Sequence, residues 1–147
     1  MKKIALLFVI TIISCSKKKD ISTVKNTKTS WIEYTTKDSI PEQLKQVLVK
    51  TSGDAKLANS NEAFQATDNI INDSLPKRQL RLLARNQNHW RMTYVQGGIG
   101  KFFVYMDCDI ENNKISNLRI AETLTNVEVN DSINSLLAAD KLKFKLQ

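Results

Sequence analysis

A chain of 147 residues has the length of one domain. With 41% hydrophobic residues it can bury one thin core and has little room for a deep active site. The net charge of +7 fits nucleic acid, anionic lipid or plain solubility, but no nucleic-acid recognition motif occurs, so no nucleic-acid partner is expected.

The chain opens on Met1-Lys2-Lys3, a short basic segment, and an apolar run from Ile4 to Ile13 interrupted only by Thr11. That run is too short for a stable bilayer span and suits the hydrophobic centre of an export signal. It leads into Ile12-Ile13-Ser14-Cys15, which resembles the lipobox of bacterial lipoproteins. A branched apolar residue stands three places before the cysteine and a small one directly before it. Ile13, between them, is a less common choice in that family. The resemblance covers about the first 20 residues. It implies that residues 1–14 are a signal peptide and that the Cys15 thiol takes a diacylglyceryl group. After cleavage the new amine of Cys15 would be acylated as well. Two or three acyl chains anchor a protein stably where one does not, which makes membrane lipid the first expected partner. Ser16 is not the aspartate that holds enterobacterial lipoproteins at the inner membrane. The Lys-, Asn- and Ile-rich style looks like lipoproteins of the Bacteroidota, so the resemblance points to the outer membrane, on either leaflet.

Residues 15–37 read as the lipidated cysteine and a basic tether, and 38–147 as a single small domain. Lys17, Lys18 and Lys19 would lie against phospholipid headgroups. Lys2 and Lys3 leave with the signal, which takes the net charge from +7 to +5. Residues 16–30 bury almost nothing and would span roughly 20–25 Å as a flexible chain. Trp31-Ile32-Glu33-Tyr34 is either a short strand or the point where the tether docks. Lipidation consumes one of the two cysteines, so Cys108 is unpaired and no internal disulfide is expected.

The first helix is announced by Ser39-Ile40-Pro41-Glu42, which fits a capping box. Ile40, Leu44, Val47 and Leu48 then share one face at helical spacing, and Gly53 stops the run. A short helix is expected around Ala55–Phe64, with a loop after it. From Lys77 the period changes to two. Four strands are expected at 78–85, 89–96, 101–110 and 114–121, joined by Asn86-Gln87-Asn88, Gly97-Gly98-Ile99-Gly100 and Glu111-Asn112-Asn113. A three-residue first loop pairs Ala84 with Trp90 and Leu82 with Met92. The next hairpin pairs Met92 with Met106, Arg91 with Asp107 and His89 with Asp109. A last helix begins near Asn130 or Asp131 and uses Ile133, Leu136 and Leu137. The tail 141–146 alternates like an edge strand whose lysines discourage further pairing. The expected fold is α+β: an N-terminal helix on one greasy face of a four-stranded antiparallel meander, then a C-terminal helix. That order is the one found in cystatin-like and NTF2-like domains, an analogy that carries no function.

The opposite sheet face would gather Arg81, Arg85, His89, Arg91, Phe103, Tyr105, Asp107 and Asp109. Arginines and aromatic rings amid mixed charge suit a peptide, glycan or small anion, and equally describe a solvated face with cross-strand ion pairs. Asp107-Cys108-Asp109-Ile110-Glu111-Asn112 starts like a calcium loop but has Asn112 where glycine makes the turn and Leu118 where glutamate closes the site. A lone histidine leaves zinc short of ligands, so no metal or cofactor is expected. Cys108 points to the core side as an inert thiol, and strand parity separates it from His89. The expectation is a non-enzymatic binding or accessory module whose partner is an envelope protein or small ligand. The alternatives are a purely structural subunit, and a small hydrolase or isomerase using His89 with Asp107 or Asp109 as acid and base.

Overall fold

The computed structural model describes residues 30–69, 72–98 and 100–145. The expected signal peptide, Cys15, Lys17 to Lys19 and the tether up to residue 29 lie outside the described residues, as do Ile99 and Leu146. Among the described residues no helix is long and apolar enough to cross a membrane.

The architecture is α+β. Five strands form one antiparallel sheet in sequence order: β1 (Ile32–Tyr34), β2 (Arg78–Asn86), β3 (His89–Gln96), β4 (Phe102–Glu111) and β5 (Lys114–Thr123). Helix α1 (Glu42–Ser52) lies between β1 and β2, and α2 (Asn130–Ala138) follows β5. Among the described residues the strands number five, not four, because the Trp31–Tyr34 stretch does both things expected of it. Ile32, Glu33 and Tyr34 pair with Arg85, Ala84 and Leu83, while Trp31 docks on the second core cluster.

Helix α1 buries Leu44, Val47 and Leu48 and ends on Gly53, whose φ of 83° only glycine adopts without strain. Its start differs from the capping box. Pro41 is the N-cap, no side chain caps the helix, and Ser39 closes a 3-10 turn over Lys37–Ser39 instead. The residue before a proline is driven extended, which takes Ile40 out of the helix and Ser39 out of capping range. The short helix expected at 55–64 is absent. Leu57 and Ala58 are buried, and Ala58 bridges in parallel to Gln79 of β2. Backbone bonds from Ala58 to Arg78 and from Leu80 to Ala58, both 2.9 Å, hold the segment extended along the sheet. Arg78, 4% exposed, donates to the Asp54 carbonyl at 2.9 Å and pairs with its carboxylate, fixing the start of this loop.

Gly97 shows how tightly the loop is laid against β3. A Cβ there would stand 2.1 Å from the Gln65 carbonyl oxygen and 2.8 Å from the Ala66 Cα. Both neighbours are backbone, so Gly97→Ala should cost at least about 1–3 kcal/mol, read as a lower urea midpoint. An unchanged midpoint would mean that the 65–66 loop yields freely.

The β3–β4 register is the expected one: Met92↔Met106, Arg91↔Asp107, His89↔Asp109. The β2–β3 register is not. The turn is the two residues Gln87-Asn88, so Leu83 faces Met92, Ala84 faces Arg91 and Arg85 faces Trp90. A one-residue slip exchanges the faces of a strand, and a bulge between Leu80 and Leu82 restores Leu80 to the first face opposite Tyr94. The β4–β5 turn, Asn112-Asn113, has φ of 49° and 61°, the paired positive values of a type I′ hairpin. That accounts for the asparagines better than a cation loop.

The sheet is buried on both faces rather than on one. Ile40, Leu44, Val47, Leu48 and Leu57 share a cluster with Leu83, Met92, Met106 and Cys108. A second cluster joins Leu82, Ala84, Tyr105 and Ala121 to Ile133 of α2 and Leu142 of the tail. Among the described residues the tail makes a single bridge, Phe144 to Ala121, rather than a full edge strand.

Candidate functional site

The second face carries the polar cluster, and its centre is Asp107. Alternation on β4 puts Tyr105, Asp107 and Asp109 on this side, and β3 sends His89 and Arg91 to meet them. Asp107 is 0% exposed. The Tyr105 hydroxyl donates to its Oδ2 at 2.7 Å, and Arg119 donates Nε to Oδ1 at 2.9 Å and a terminal nitrogen to Oδ2. His89 Nε2 stands 3.5 Å from the same Oδ2. The other ring nitrogen, Nδ1, is 2.7 Å from Asp109 Oδ1, and Asn117 donates to Asp109 Oδ2 at 2.7 Å. A neutral imidazole has one N–H; this ring faces a carboxylate on each nitrogen, an arrangement only imidazolium satisfies by donating twice.

The pKa directions follow from these contacts. Asp107, then burial against it, then Asp109 set the balance at His89, which rises above 6.5. Burial pushes Asp107 up, but donors from His89, Arg119 and Tyr105 outweigh it and hold the carboxyl below 3.8. Asn117, then His89, lower Asp109 likewise. Burial and the neighbouring carboxylate keep the Tyr105 phenol protonated well past its usual range.

Stability therefore depends on pH in two opposite limbs. The raised His89 contributes fully below 6.5, and its contribution is lost as pH rises through its higher folded value. The lowered aspartates contribute above 3.8 and lose it as pH falls. The melting temperature should be highest between these limits and decline toward pH 8. His89→Gln should flatten that alkaline decline, and a variant that still shows the full decline would remove His89 as its cause.

Around this centre the cluster extends to β1 and α2. The Arg91 guanidinium lies 4.2 Å from the Trp31 ring centroid, and Trp31 meets His89 edge-on at 5.8 Å. Arg91 donates to Asn134 at 2.7 Å, and Asn130 donates to Glu33 at 2.8 Å. Asn130 and Asn134 sit one helical turn apart on α2 and so address the sheet together.

Of the expected face, the fold brings His89, Arg91, Tyr105, Asp107 and Asp109 into one network. Arg91, Tyr105 and Asp107 are buried rather than displayed, because α2 and the tail cover this side. Phe103 is half-buried against the same cover. Arg81 lies at the β2 bulge, paired with Glu128 at 3.4 Å. Arg85 leaves the face: the register shift sets it opposite Trp90, over whose ring it lies at 5.5 Å. Cys108 points to the α1 side, where burial, then the flanking aspartates, push its thiol up to about 12. Sequence reasoning missed Arg119. Counting back from the turn sets Leu118 opposite Asp107, and only a bulge at Asn117, φ 51°, brings Arg119 there. An asparagine inside a strand was the available signal. Among the described residues, no group of three or more His, Cys, Asp or Glu side chains is placed to hold a metal ion. The site is thus a saturated centre, Asp107, with a rim of His89, Asp109, Asn117 and Arg119 reaching solvent. Compared with protein-family models, curated proteins and solved structures, the chain matches none.

Proposed function

We propose that this protein is a lipid-anchored envelope protein of the outer membrane, attached through acylated Cys15, whose domain binds an envelope partner or small ligand without catalysis. The anchor rests on the Ile12-Ile13-Ser14-Cys15 motif. Palmitate labelling that disappears in Cys15→Ser is the expected result, and persistent labelling would refute it.

The observation that carries the non-catalytic reading is the double embrace of His89 by Asp107 and Asp109. It favours a standing imidazolium, and a general base must be able to take a proton. The buried centre then acts as a scaffold that presents the exposed rim. A photo-crosslinker at Asn117 should yield one recurring adduct in cells that Arg119→Ala abolishes. Identical adducts from a crosslinker at Lys50, on α1, would refute the rim.

The hydrolase or isomerase reading retains one supporting observation, the contact of one imidazole with two carboxylates. Turnover by the purified protein that His89→Ala abolishes would establish it in place of the binding reading. The finer fold reading, a helix laid over a meander in the cystatin-like order, is supported by the cluster that α1 shares with Leu83, Met92 and Met106.

A further inference from the structure

We propose that the cleft between the start of α1, residues 55–57, Ser74 and Pro76 binds a small organic anion: one carboxylate or phosphate head on an apolar body. The cleft has a volume of about 390 Å³, within the roughly 300–1,000 Å³ range of small-ligand sites. It lies on the α1 side of the sheet, across from the His89 rim, and owes nothing to that rim's role.

Its lining combines two chemistries. Ile40, Leu57 and Pro76 supply an apolar floor, and Ile40 and Leu57 are themselves part of the α1-side core. Lys37, Lys45 and Lys56 supply three ammonium groups against a single carboxylate, Asp38. Among the described residues no carboxylate pairs with Lys56. The other two lysines have replaceable partners. Lys37 reaches Glu62 at 3.1 Å with both side chains substantially exposed, and Lys45 is 3.9 Å from Glu42. Exposed pairs of this kind hold weakly, and an incoming anion can compete with them. Lysine recognises a carboxylate or phosphate as a point charge, so the head need only sit among the ammonium groups. Once the ligand displaces Glu62 and Glu42, three cations face one acid, a balance that suits a single anionic head better than a polyanion.

The walls are set before any ligand arrives. The Lys37 amide donates to Asn59 Oδ1 at 2.7 Å, and the Asn59 amide donates to Glu62 at 2.8 Å. Arg78 holds Asp54 where the chain leaves α1. A preformed site spares the ligand the cost of ordering it.

The test uses the whole chain in phosphatidylcholine nanodiscs, with its lysines reductively methylated with carbon-13, which keeps their charge. The probe is 2-naphthoate. It should shift the Lys37, Lys45 and Lys56 signals saturably and leave Lys101 and Lys143 in place. Inorganic phosphate (head alone) and 2-naphthalenemethanol (body alone) should each bind at least tenfold more weakly. Adding phosphatidylglycerol to the disc should leave the naphthoate isotherm unchanged. Lys56→Glu should weaken naphthoate at least fivefold in a protein that stays folded. Uniform shifts at all lysines, phosphate binding as tight as naphthoate, competition by phosphatidylglycerol, or an unaffected Lys56→Glu variant would each overturn the proposal.

Discussion

Asp107→Ala should lower the unfolding free energy by about 2–4 kcal/mol, the cost of stripping a buried acceptor from donors that remain. Tyr105, Arg119 and His89 all point at this carboxylate, and Tyr105 is as deeply buried as Asp107. Its hydroxyl would be left without an acceptor inside the core. Arg119 softens the loss, since its side chain is 45% exposed and can turn to water. Asp109→Ala is the control. That carboxylate is one-third exposed at the rim, so its removal should cost less than about 1 kcal/mol. Chemical denaturation of the two variants under the same conditions checks the contrast. Equal effects would mean that Asp107 is no keystone.

Leu83→Ala should cost about 2–5 kcal/mol, the usual range for emptying a leucine-sized space in a core. Leu83 is 0% exposed and shares a cluster with Met92, Met106 and Leu48. Its neighbour Leu82, 5% exposed, belongs to the other cluster, with Tyr105, Ile133 and Leu142. Leu82→Ala should therefore be costly too, and that pair of results is what separates two buried faces from one. A sheet with one greasy face would leave one of these adjacent leucines in solvent and its alanine variant near neutral.

The difference between those pictures marks where the sequence was readable. The β3–β4 pairing was legible because Met92, Arg91 and His89 find matching partners on β4 in a single register, and charge and parity agree. The β2–β3 pairing was not. Asn86-Gln87-Asn88 accommodates a two- or a three-residue turn, and both leave plausible apolar sets facing inward. A single residue decides which face Leu82, Leu83 and Arg85 take. The bulges at Leu80/Leu82 and at Asn117 lie beyond any parity argument, since each breaks the alternation on which parity rests. Helix α2 was visible as Ile133, Leu136 and Leu137 at helical spacing, and it begins at Asn130 as expected. Its docking side was not visible, because an apolar stripe says what a helix buries and not against which sheet face. That missing fact turned an expected display surface into a covered cluster. His89, Asp107 and Asp109 were found; Arg119, Asn130, Asn134 and the role of Trp31 needed the tertiary fold.

Trp31 also gives the cluster its place in the proposed function. It lies at the root of the expected tether and rests between Arg91 and His89. The cluster thus fixes both the rim and the start of β1. Its chemistry turns on the imidazole, and His89 is the only histidine in the chain, so its ring signals stand alone in a proton–nitrogen NMR titration. A structural clamp predicts a midpoint above 6.5, with both ring nitrogens protonated below it and the midpoint falling when Asp107 becomes asparagine. A midpoint below 6.5, unmoved when Asp107 becomes asparagine, would describe a base ready to accept a proton and would contradict the account.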